Sequence, residues 1–141
     1  MSIPAALRRR VFERAKNRCE YCGLAQAGQE AAFHVDHIQP VAEDGPTSFA
    51  NLALACVGCS LRKGARRIGV DPKTGRSATL FHPRNETWTA HFRWTGVRLL
   101  GLTPSGRATI SLLDLNRPIT LAIREEETHW QRHPPRQHKS L

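Results

Sequence analysis

The sequence predicts an α+β fold of small elements stapled together by a metal ion, and three observations carry that prediction. Cys19-Glu-Tyr-Cys22 and Cys56-Val-Gly-Cys59 are two C-x-x-C knuckles with 33 residues between them. Inside that interval Phe33 and Val35 alternate with His34 and Asp36, the period of a half-buried strand, and LALA at 52–55 is a second short strand running into the second knuckle. Helical patterns flank the knuckles on both sides. With five Phe, three Trp and one Tyr in 141 residues the apolar core is thin, so a staple adds what burial alone does not supply.

Taken in order, Pro4 suits the first turn of a helix to about Asn17, with Leu7, Val11, Phe12 and Ala15 on one face. The two strands follow, separated by a loop that Pro40, Gly45 and Pro46 mark. Ser60 reads as the N-cap of a basic helix closed at Gly69. Further on, Trp88, Phe92 and Trp94, then VRLLGL after Thr95-Gly96, predict a strand pair. Thr103-Pro104 and Asn116-Arg117-Pro118 each open a helix, the second running toward Trp130. The organisation expected is a core over 1–70, an accessory extension over 71–131 packed on it, and a disordered tail over 132–141, which lacks apolar residues until Leu141.

The chain carries 21 Lys plus Arg against 12 Asp plus Glu, a formal charge of +9. No run of about 18 apolar residues exists, and MSIPAALRRRVFERAKNR places charges where a secretion signal needs its apolar segment, so a cytoplasmic protein without a membrane span is expected. The charge is uneven. Between Arg18 and Arg62 lie 43 positions without Lys or Arg, holding Glu20, Glu30, Asp36, Glu43 and Asp44. An acidic pocket within a basic chain suggests a polyanion handled through a cation.

Four cysteines in a cytoplasmic setting are disfavoured as two disulfides. Their paired two-residue spacing suits tetrahedral Zn²⁺, and four thiolates leave no open position, so such a zinc ion is structural.

The segment HVDHIQPVAEDGPTSFANLALACVGCSLRKG joins Asp-His-Ile-x-Pro, Asn-Leu and a knuckle, and on these residues the chain resembles the HNH nuclease family over about residues 10–69. The resemblance implies a small zinc-stabilised ββα-metal core that cleaves DNA phosphodiesters with one catalytic divalent cation, Mg²⁺ or another, leaving 5′-phosphate and 3′-hydroxyl ends. It makes His37 the general base, a role imidazole suits because it titrates near neutrality. It makes Asp36 the carboxylate that holds the cation and Asn51 the residue that pins the loop. Adjacent strand residues point to opposite faces, so a kink is expected at Asp36-His37 if both are to address one phosphate.

One position departs from the family pattern. The His or Asn that follows the last cysteine and supplies the second metal ligand is Ser60 here. Three outcomes follow: Ser60 binds the cation directly or through water, another residue substitutes, or the site is crippled. His34 is the substitute to consider, since positions 34 and 36 of a strand share a face. Arg62, Lys63, Arg66 and Arg67 fall on neighbouring rows of the expected helix, a surface for phosphates. Beside the nuclease stand a catalytically weakened zinc module that binds nucleic acid and a protein-binding zinc scaffold. The other five histidines show no ligand spacing, and oligomeric state is left open.

Overall fold

The computed structural model describes residues 3–138, which divide into two compact units, one ending at Ala65 and one beginning at Arg66. The fold is α+β, built from helices and three separate antiparallel strand pairs. No helix among the described residues is long and apolar enough to cross a membrane.

In the first unit, helix α1 (Ala5–Arg14) starts after Pro4, one turn short of the expected Asn17 end, because Lys16 and Asn17 adopt left-handed backbone. It buries Val11 completely. Strands β1 (His34–His37) and β2 (Leu52–Ala55) form a hairpin in the register His34↔Ala55, Val35↔Leu54, Asp36↔Ala53 and His37↔Leu52. Cross-strand partners share a face. Val35 and His37 therefore lie with Leu54 and Leu52, while His34 and Asp36 lie with Ala55 and Ala53. Both faces of β2 are buried, so all four of its residues are apolar.

Helix α2 (Val57–Lys63) corrects the sequence reading at both ends. Its N-cap is Cys56, whose sulfur accepts a hydrogen bond from the Cys59 amide, and Ser60 sits inside the helix. Gly64, at φ +53, ends it where only a residue without Cβ turns freely, so Arg66 and Arg67 fall outside. The four basic residues thus do not share one helix. Arg62, Arg66 and Arg67 are exposed, whereas Lys63 is only 4% exposed and is not offered to a phosphate.

The second unit opens with a hairpin absent from the sequence reading, β3 (Ile68–Val70) with β4 (Ser77–Thr79). Its turn is tied by Asp71, which takes bonds from the Lys73 amide and the Thr74 hydroxyl and a bidentate pair from Arg107, each nitrogen 2.9 Å away. Helix α3 (Trp88–His91) leads into the expected hairpin of β5 (Phe92–Thr95) and β6 (Arg98–Gly101). Helices α4 (Pro104–Leu113) and α5 (Pro118–His129) each begin at their proline, α4 behind a Thr103 cap. Helix α4 packs on β3, β4 and β6. Phe81, Trp88, Phe92 and Leu99 form the apolar centre with Leu113 and Leu115. Composition suggests a disordered tail from residue 132, yet Pro135 is fully buried and the His138 ring stacks on Trp88 at 3.6 Å. An aromatic platform supplies the order that the polar sequence does not advertise; residues 139–141 of that tail lie outside the described residues.

Candidate functional site at the hairpin

The four cysteines come together, buried, with their sulfurs all within 4.8 Å of one another, and no disulfide joins them. Bonds of about 2.3 Å in a tetrahedron set sulfurs about 3.8 Å apart; Cys22 and Cys56 stand at 3.7 Å. Amides of Cys22 and Cys59 each point at the sulfur three residues back, both at 3.4 Å. Burial pushes the Cys19 thiol up, hydrogen bonding to Cys19 pushes Cys59 up, and Cys56, accepting from the other sulfurs, is pulled down. Four sulfurs in so dry a pocket become thiolates together only around a cation, and the donor set is that of zinc. The cluster is a candidate zinc site.

The first knuckle also guards the sheet. Glu20, between Cys19 and Tyr21, donates its amide to the Leu54 carbonyl at 2.9 Å and accepts the Leu54 amide on its carboxylate at 2.8 Å. The outer edge of β2 is thereby satisfied. No further strand pairs with β1 among the described residues, so its other edge is open.

The expected kink at Asp36-His37 is absent. Pairing runs unbroken through His37↔Leu52, and the Ile38 amide extends the ladder to the Asn51 carbonyl at 2.8 Å. Asp36 and His37 consequently leave β1 on opposite faces. Both are half-buried. His37 Nε2 lies 2.8 Å from the Thr47 hydroxyl, which leaves Nδ1 as the ring nitrogen without a hydrogen-bond partner among the described residues. The Asp36 carboxylate makes no hydrogen bond or ion pair among the described residues, although its charge, after burial and Cys19, helps push the Tyr21 hydroxyl up.

Asn51 is buried and ties the loop from Gln39 to Ser48. Its Oδ1 accepts the Gln39 amide at 2.9 Å, and its Nδ2 donates to the carbonyls of Gln39 and Pro46 at 3.1 and 2.8 Å. Gly45 fits beneath this knot because a Cβ there would stand 1.8 Å from the Gln39 carbonyl oxygen. Arg14 reaches across from α1 to donate to the Phe49 and Leu52 carbonyls at 2.6 and 2.5 Å while its guanidinium lies over the Phe49 ring. Asn51 is thus held from outside as well. Arg14, Glu20 and Thr47 carry no sequence signal of these roles; each acts through partners brought close only by folding.

On the opposite face, Ser60 Oγ lies 2.8 Å from His34 Nδ1. The two residues that sequence reasoning weighed as rival ligands touch each other.

The whole chain finds no match among curated proteins or solved structures. A strand hairpin carrying Asp36-His37, an internal Asn51 and a helix leaving the second knuckle nonetheless form a recognisable order, and residues 19–66 match the family model described as HNH endonuclease.

Proposed function

We propose that this protein is a metal-dependent endonuclease that hydrolyses DNA phosphodiester bonds at the β1 end of its hairpin. The observation that carries the reading is the pair of neighbouring functional groups at that strand end: an Asp36 carboxylate without a hydrogen bond or ion pair among the described residues, and a His37 ring held at Nε2 by Thr47. The absence of a kink directs where substrate lies. A phosphate set along the open edge of β1 meets Asp36 from one face and His37 from the other.

In the proposed reaction His37 Nδ1 accepts a proton from water as the water oxygen bonds to phosphorus. The bond from phosphorus to the 3′ oxygen breaks, and that oxygen leaves to take a proton from solvent, giving 5′-phosphate and 3′-hydroxyl ends. Thr47 fixes the ring so that Nδ1 faces the water, and Asn51 keeps Thr47's loop in place. Asp36 is the residue that would hold the catalytic divalent cation, which when bound supplies charge stabilisation at the scissile phosphate and leaving oxygen. Zinc on Cys19, Cys22, Cys56 and Cys59 would be structural, having no open position. Arg62, Arg66 and Arg67 are the exposed cations proposed to contact the nucleic-acid backbone.

The test is cleavage of supercoiled plasmid with Mg²⁺ or Mn²⁺ by the wild type and by His37→Ala. Nicking that requires the metal and falls at least a hundredfold in the variant is expected. Salt-sensitive binding without any cleavage would instead support a nucleic-acid-binding zinc module.

A further inference from the structure

We infer that His34 completes the cation site with Asp36, and that Ser60 is a positioning residue that orients His34. The inference deepens the reading above and rests on Asp36 being the cation-holding carboxylate.

Three observations lead to it. His34 and Asp36 are two residues apart on β1, so both project from the same face, and their cross-strand partners are Ala55 and Ala53. The two alanines add only methyl groups beside the pair, and both are buried, so this face is shielded from bulk water. Helix α2 covers this face, because Ser60 on α2 contacts His34. Lastly, the Ser60 hydroxyl is already engaged by His34 Nδ1 at 2.8 Å, whereas His34 Nε2 has no hydrogen-bond partner among the described residues.

The chemistry of the donors decides between them. A neutral hydroxyl is a weak ligand for a divalent ion, and imidazole is the commonest side-chain nitrogen ligand. A ligating histidine almost always donates its other ring N–H to a neighbour, which fixes the tautomer and aims the lone pair. With Nδ1–H donating to Ser60 Oγ, His34 presents an Nε2 lone pair on the Asp36 face. The position after the last cysteine therefore still serves the cation, at one remove. A site of one carboxylate and one imidazole is also softer than an all-oxygen site, so it favours Mn²⁺, Co²⁺ or Ni²⁺ over Mg²⁺.

The probe is Mn²⁺ added to protein loaded with zinc at the cysteines. Affinity is read by electron paramagnetic resonance, and coordination by electron spin echo modulation in protein carrying ¹⁵N-histidine. Wild type should bind one Mn²⁺ with a histidine-nitrogen coupling. His34→Ala and the milder His34→Gln should lose that coupling and weaken binding more than tenfold, with zinc content and circular dichroism checking that each variant folds. Ser60→Ala should keep the coupling and weaken binding about tenfold. Coupling that survives in both His34 variants overturns the inference, as does a Ser60→Ala protein that loses all binding while His34→Ala keeps it. Mn²⁺ affinity unchanged in Asp36→Ala, or no Mn²⁺ bound by wild type, overturns the underlying cation reading as well.

Discussion

Thr47 and Asn51 act on His37 by different routes, and substitution separates them. Thr47→Val removes the hydroxyl at His37 Nε2 with little change of volume, so the ring loses its anchor while the loop keeps its ties. Cleavage is expected to fall about tenfold, with an altered pH profile of kcat and a smaller fall in unfolding midpoint than Asn51→Ala gives. Asn51→Ala deletes three hydrogen bonds from a buried side chain and leaves the Gln39 amide without its acceptor. A loss of about 2–3 kcal/mol in stability is expected, measured by denaturant unfolding, together with loss of cleavage. Gly45→Ala drives a Cβ into the Gln39 carbonyl and should resemble Asn51→Ala rather than Thr47→Val. Of these residues Asn51 was legible in the sequence through the family resemblance, as the Asn of its Asn-Leu pair. Thr47 was not, because a threonine in a polar loop carries no mark of the ring it will meet.

At the scale of elements, the cysteine knuckles determine where local structure begins. The strands were readable because burial imposes alternation on β1 and an apolar run on β2. The start of α2 was misread because Ser60 is a good N-cap by propensity, whereas the knuckle makes the Cys56 sulfur the cap four residues earlier. Hairpin β3–β4 was invisible for the opposite reason: Ile68 and Val70 are exposed, so no inward face patterns it, and its anchor is the buried Asp71. That anchor predicts acid sensitivity. Hydrogen bonds from Arg107 hold the Asp71 carboxyl well below the usual carboxylate range. Its stabilising contribution is therefore complete above the unfolded value of about 3.9 and is lost as pH falls from there toward the depressed folded value. All three tryptophans, Trp88, Trp94 and Trp130, lie in the second unit, so their fluorescence reads it selectively. The unfolding midpoint by fluorescence should drop as pH is lowered from about 4, and Asp71→Asn should remove much of that slope while lowering the midpoint at pH 7.

For the molecule as a whole, the formal charge of +9 becomes about +7 if four thiolates bind one Zn²⁺, still a large excess for a chain of this size. Nucleic-acid binding should weaken steeply with salt. Replacing Arg62, Arg66 and Arg67 together by Gln should reduce the slope of log K against log salt by up to about 2.7 on duplex DNA, since each phosphate contact contributes about 0.9. An unchanged slope would place the phosphates elsewhere, with the exposed Arg8, Arg9 and Arg10 of α1 the next cations to test.

The double duty of the Cys56 sulfur has a mechanical side. One atom belongs to the metal cluster and also caps α2, and Ser60 follows on the next turn, where it touches His34. The knuckle is thus a fulcrum, and the dimensions of an ion held there would set the lever's rest position. Exchanging Zn²⁺ for the larger Cd²⁺ should keep the domain folded yet displace Ser60 from His34. A change in Mn²⁺ affinity on that exchange, with none of the hairpin's residues altered, would measure how far the lever carries.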